Sequence, residues 1–125
     1  MTITARPVAI VEDDESVRNS LQRLLRSVDL PVIAYASAED FLTRSPMDDP
    51  SCLILDIHLG GMSGVELLER LVNDKMRMPV VLITADEEAG GSGEPDSVTC
   101  LRKPFDEATL IQAIEAAISK LGPLE

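Results

Sequence analysis

Five short runs of mostly apolar residues punctuate this chain: Val8–Val11, Val32–Tyr35, Cys52–Leu55, Val80–Ile83 and Val98–Leu101. Runs this short, with no regular polar alternation, predict strands buried on both faces of a sheet. Between them the spacing turns helical. Val17, Leu21, Leu24, Leu25 and Val28 recur on one side of a first helix, with Arg18, Gln22, Arg23 and Arg26 on the other. Ser37 can cap a short second helix through Phe41 and Leu42. Ser63 and Glu66 have capping-box spacing ahead of Val65, Leu68, Leu71 and Val72. Asp106 opens a last helix with a stripe of Leu110, Ile114, Ala117, Ile118 and Leu121, which Gly122-Pro123 stops.

Strands alternating with helices imply a parallel sheet covered on both sides. The expected fold class is α/β: a flavodoxin-like, doubly wound, five-stranded sheet of order 2-1-3-4-5 with right-handed crossovers. One link departs from the pattern. Between the fourth and fifth strands, where a helix belongs, the chain reads Asp86-Glu87-Glu88-Ala89-Gly90-Gly91-Ser92-Gly93-Glu94-Pro95-Asp96. Its glycines and proline predict a degraded fourth helix, at most one short turn.

In that order, strands 1, 3, 4 and 5 lie side by side, and a ligand crevice forms at their C-terminal ends. The residues delivered there are Glu12-Asp13, Asp56, Thr84 and, just beyond the last strand, Lys103. Segments far apart in sequence thus bring their polar residues to one rim.

With 125 residues and 45% hydrophobic content, the chain predicts one packed domain over 1–125, with 1–6 as a lead-in and 122–125 as a tail. Its 22 acidic against 11 basic residues give a net charge of −11. That charge argues against direct binding of nucleic acid or of an anionic membrane surface, both of which need cations on the protein. There is no membrane-length apolar stretch and no signal-peptide pattern. Cys52 and Cys100 sit in apolar runs and are expected to be buried thiols, consistent with a reducing, cytoplasmic setting.

Glu12, Asp13 and Asp56 would bring like charges together. One such pair at about 4 Å costs roughly 4 kcal/mol at an effective dielectric near 20. A proton or a cation must relieve it. Hard oxygen donors with no His/Cys cluster nearby suit Mg²⁺, with the backbone carbonyl of His58, the only histidine, as a further candidate ligand. A carboxylate at such a site can attack phosphorus and form an acyl phosphate. The Lys103 ammonium and the Thr84 hydroxyl supply positive charge and a donor for the transferring oxygens. Each residue also has an ordinary role open to it: Asp56 as a loop acid, Glu12-Asp13-Asp14 as helix-start acids, Thr84 as a strand-end hydroxyl and Lys103 as a solvated lysine. It is their convergence that favours the chemical role.

The set Val11-Glu12-Asp13-Asp14-Glu15, Leu55-Asp56-Ile57-His58-Leu59-Gly60-Gly61-Met62-Ser63-Gly64, Ile83-Thr84-Ala85 and Lys103-Pro104-Phe105 resembles the receiver domain of bacterial two-component response regulators. The wording is most similar to receivers of the nitrogen-fixation-regulator type. The resemblance implies a phosphoacceptor at Asp56, charged by a sensor histidine kinase or phosphotransfer protein. It implies Mg²⁺ held by Glu12 and Asp13, a switch hydroxyl at Thr84, a phosphate-pairing Lys103 and a cis bond before Pro104. It implies a signalling domain rather than an enzyme, one that assists its own phosphotransfer and dephosphorylation, and a homodimer on phosphorylation. Such receivers are often joined to a C-terminal helix-turn-helix DNA-binding domain, which these residues do not include.

Three positions depart from the family's wording. Cys100 stands where the family has a switch aromatic, the segment from Thr84 to Lys103 is short, and Gly60 replaces the usual proline. Cys100 and the degraded fourth helix leave a rival from a different class: a protein-binding module on the same fold that acts without phosphorylation. A flavin protein fits less well, because acids end the first strand where a phosphate cradle belongs. An aspartyl-phosphate hydrolase would put a second Asp at His58.

Overall fold

The structure is a computed structural model, and it describes residues 7–43, 50–57, 63–73, 78–84, 98–103 and 105–121. Its elements are β1 (Val8–Val11), α1 (Glu15–Ser27), β2 (Val32–Tyr35), α2 (Ala38–Leu42), β3 (Cys52–Asp56), α3 (Gly64–Asn73), β4 (Val80–Thr84), β5 (Val98–Arg102) and α4 (Glu107–Leu121). The five strands form one sheet in the order β2-β1-β3-β4-β5, and every pair is parallel. The doubly wound α/β fold expected from the apolar runs is the fold observed.

The runs are continuous because both faces of the sheet are covered. Ala9, Val11, Leu53, Leu55, Val80 and Leu82 face one core layer, packed with Ala38 and Phe41 of α2 and Leu67, Leu68 and Leu71 of α3. Val8, Ile10, Cys52, Ile54, Val81 and Ile83 face the other, packed with Leu21 and Leu25 of α1 and Leu110, Ala113, Ile114 and Ala117 of α4. Burying one such Leu or Ile contributes about 1.5–3 kcal/mol, so a polar substitution inside any central strand is costly. The ring of Tyr35 closes the edge of the first layer with an edge-to-face contact to Phe41, at 5.3 Å between centroids.

The helix ends follow the capping chemistry. Asp14 caps α1 by accepting from the N–H groups of Ser16 and Val17 at 2.9 and 3.2 Å. Ser37 caps α2. Ser63 and Glu66 form the reciprocal box, at 2.9 and 3.1 Å. Asp106 accepts from Thr109 at the start of α4, and those bonds hold its carboxyl below the usual range. The end of α1 is a Schellman turn: Asp29 takes φ 64°, its N–H reaches the Arg26 carbonyl, and the Leu30 N–H reaches the Leu25 carbonyl.

Several expectations are corrected. Val65 is exposed and Leu67 is buried, because Val65 lies in the first turn of α3, off the face that meets the sheet. In α4, Ile118 is exposed and Ala113 takes its place, since 110, 113, 114 and 117 share one face. Cys100 is exposed, on the edge strand β5 where only Val98 and Leu101 are buried. Cys52 is buried as expected, and burial pushes its thiol up to about 12. The lead-in, the tail, His58, the loop at 58–62, the segment 85–97 and Pro104 lie outside the described residues.

Candidate functional site

Strand register explains why separated residues meet. Val11 pairs with Leu55, so Glu12 and Asp56 leave the sheet at the same level. Asp56 pairs with Ile83 and Thr84 pairs with Arg102, so Thr84 and Lys103 follow one step beyond. Main-chain bonds continue the ladder there: Ile57 N–H to the Ile83 carbonyl at 3.0 Å, and Lys103 N–H to the Thr84 carbonyl at 2.9 Å.

Glu12, Asp56 and Thr84 are buried, at 2%, 6% and 3% exposure, and they are the only buried polar or charged side chains among the described residues. Asp13 stands exposed at the mouth. One carboxylate oxygen from each of Glu12, Asp13 and Asp56 lies within 4.8 Å of the others. The Lys103 ammonium is 3.5 Å from Asp56 Oδ2. The rim therefore collects three carboxylates, one hydroxyl and one half-buried cation.

The electrostatics of Glu12 are strained. Burial first, and then the Asp56 carboxyl beside it, push Glu12 up to about 7, while the Asp14 N–H and the Lys103 ammonium pull the other way. Glu12 Oε2 accepts from the Asp14 N–H at 3.1 Å. Glu12 Oε1 is buried with no hydrogen-bond donor on it. Two ionised carboxylates cannot bond each other, and a proton or a cation on that oxygen relieves the pair. Three hard oxygen donors within 4.8 Å of one another, with a buried Glu12 oxygen that lacks a donor, fit a small divalent cation such as Mg²⁺.

Two residues with no site role in the sequence support this rim. Arg18, expected on the solvent side of α1, is half-buried instead, and its Nη1 donates to the Glu12 carbonyl at 2.9 Å. Gly64, the first residue of α3, sits against the end of β3. A Cβ there would overlap the Asp56 carbonyl oxygen and lie 2.8 Å from Ile57 Cα. Its N–H donates to the Ile57 carbonyl at 3.2 Å. The signal for Gly64 was a glycine opening a helix; nothing local marked Arg18.

Comparison with known proteins gives a consistent result. A family model described as the response regulator receiver domain matches residues 8–115. Nodulation protein W of Bradyrhizobium diazoefficiens is 36% identical over 116 residues, covering 90% of this chain and 51% of that protein. The transcriptional regulatory protein FixJ of Azorhizobium caulinodans is 34% identical over 117 residues, covering 91% of this chain and 56% of that protein. The crystal structure of FixJ-N superposes with a TM-score of 0.82 at 33% identity, covering 98% of this chain and all of that one. A chemotaxis protein from Vibrio cholerae, at 19% identity and a TM-score of 0.79 over 91% of this chain and 99% of that one, shares the fold. The chain spans about half the length of the curated relatives it matches.

Proposed function

This chain belongs to the response regulator receiver domain family of two-component signalling, and on that premise we propose that Asp56 accepts a phosphoryl group from a phosphohistidine of a sensor kinase or phosphotransfer protein, with Mg²⁺ held by Glu12, Asp13 and Asp56. One observation carries the reading: Glu12, Asp13 and Asp56 each bring a carboxylate oxygen within 4.8 Å of the others, Glu12 has a buried oxygen that lacks a donor, and a lysine ammonium lies 3.5 Å from Asp56.

In the reaction an Asp56 carboxylate oxygen attacks phosphorus. The P–N bond of the phosphohistidine breaks, a P–O bond forms, and the leaving imidazole keeps the electron pair and takes up a proton. Lys103 pairs with the phosphoryl oxygens as it now pairs with Asp56. The Thr84 hydroxyl, buried at the neighbouring strand end, donates to the same group. A bound Mg²⁺ supplies charge that screens the carboxylates and stabilises the transferring oxygens. The acyl phosphate then hydrolyses at the same site, which makes the domain a signalling switch that assists its own resetting. His58, through its carbonyl, is a further proposed ligand.

The output belongs to the same proposal. Several of the relatives are named transcriptional regulatory proteins, and the matched part covers 53% to 62% of each. We place this chain with them, as a receiver whose phosphorylation governs an output surface, including dimerisation. The net charge of −11 argues against direct DNA contact by this chain.

The test is labelling by a small acyl-phosphate donor with Mg²⁺. Wild type gains one phosphoryl group by intact mass; Asp56→Asn gains none, and chelation abolishes labelling of wild type. Equal labelling of Asp56→Asn refutes the assignment.

A further inference from the structure

Glu12 is held from several directions, and two of its anchors, at Tyr35 and Arg18, come from outside its own loop. Its N–H donates to the Tyr35 carbonyl at 3.1 Å, and its Oε2 accepts from the Asp14 N–H at 3.1 Å. Its carbonyl accepts from Arg18 Nη1 at 2.9 Å. That carbonyl belongs to the peptide joining Glu12 to Asp13. Because a peptide is planar, fixing its oxygen fixes where the Asp13 Cα leaves the strand. β1 ends at Val11, one residue before this peptide.

Arg18 itself is anchored in α1. Its N–H donates to the Asp14 carbonyl at 2.8 Å, and Asp14 caps the helix. The helix therefore grips the acidic loop twice, by the Asp14 side chain and by the Arg18 guanidinium. Its charge makes the position informative. A guanidinium beside a dication site opposes the dication by Coulomb's law alone. A residue kept there for electrostatics would weaken binding; one kept there for geometry strengthens it.

We propose that Arg18 is a positioning residue for the divalent-cation site, acting through the Glu12–Asp13 peptide to aim Asp13 at the oxygens of Glu12 and Asp56. The inference rests on the cation site proposed above. Supporting groups of this kind change metal affinity by about 10-fold or more when removed.

The experiment is calorimetric titration of the chain with Mg²⁺, and with Mn²⁺ as a second probe, with no phosphoryl donor present. Arg18→Ala, Arg18→Met and Arg18→Lys are compared with wild type, after thermal melts establish that each is folded. Arg18→Met keeps the stem but loses donor and charge; Arg18→Lys keeps charge and a donor. The expected result is about 10-fold weaker binding for Arg18→Ala and Arg18→Met, with Arg18→Lys between them and wild type. Unchanged or tighter binding in Arg18→Met overturns the proposal, because the charge effect alone then accounts for the residue. Should Arg18→Ala not fold, the order of Arg18→Lys and Arg18→Met decides alone: Lys tighter than Met supports the role, and any other order overturns it. Asp13→Asn separates this inference from the one beneath it. If Asp13→Asn binds the cation as wild type does, the cation site falls and the role of Arg18 with it. If Asp13→Asn loses binding while Arg18→Met retains it, only the positioning role falls.

Discussion

The N–H of Lys103 donates to the carbonyl of Thr84 across 2.9 Å, so the two polar residues that flank Asp56 on this side are joined through main chain. The tether does not depend on either side chain. Lys103→Ala should therefore leave the fold in place, at a cost of up to about 3 kcal/mol, since it leaves the buried Asp56 carboxylate without its partly exposed cation. It should slow acyl-phosphate labelling of Asp56 by about 100-fold, the usual scale for losing one preorganised charge at a transferring group. A melt and a labelling time course measure both. Labelling at the wild-type rate would remove Lys103 from the site.

Glu12 sets the pH behaviour. Without a divalent cation its pKa in the folded chain is raised from 4.5 to about 7. The folded form then binds more protons than the unfolded form between those values. The stability contributed is full below 4.5 and is lost as pH rises through 7. A cation that binds the ionised carboxylate reverses the preference. The rise in Tm on adding Mg²⁺ should be larger at pH 8 than at pH 5.5. An equal rise at both pH values would detach Glu12 from cation binding.

Gly64 leaves no room for a side chain, since backbone atoms of Asp56 and Ile57 occupy the space. Gly64→Ala should cost about 1–3 kcal/mol in urea unfolding, as overpacking against a rigid neighbour does. It should also depress phosphoryl labelling in the folded fraction, because the strand end that carries the acceptor must shift. Val65→Ala, one residue on at an exposed position, should change stability by less than about 0.5 kcal/mol.

Asp29 adopts the left-handed conformation that closes α1. A non-glycine residue there carries a backbone penalty that exceeds glycine's entropic cost. Asp29→Gly should stabilise the protein by about 0.5–1 kcal/mol, read as a higher Tm, with phosphoryl labelling unchanged because the residue is remote from the rim. A lower Tm would mean that the aspartate side chain contributes more than its backbone strain removes.

Much of the fold was legible because strands of a two-sided sheet are written as bare apolar runs, and their polar ends name the rim. Asp56, Glu12 and Thr84 could be found by asking where each run stops. Helix faces were harder. Ala113 and Ile118 compete for one stripe, and hydropathy favours the larger residue, while the angle from Leu110 and Ile114 favours the alanine. Arg18 carries no local mark, since a long cationic side chain in an early helical turn reads as solvent-facing until the strand end beneath it is known. Cys100 reads as buried by its apolar neighbours, yet β5 is an edge, and an edge strand need not hide every residue.

The order β2-β1-β3-β4-β5 gives the acceptor and its cationic partner unequal footing. Asp56 ends the central strand, whose residues are all buried, whereas Lys103 follows an outermost one with two exposed positions. In amide exchange, β3 should open only with the whole molecule, while β5 should open sooner through local fraying. Release of the ammonium is then a small, frequent excursion, and loss of the carboxylate's support a rare and global one.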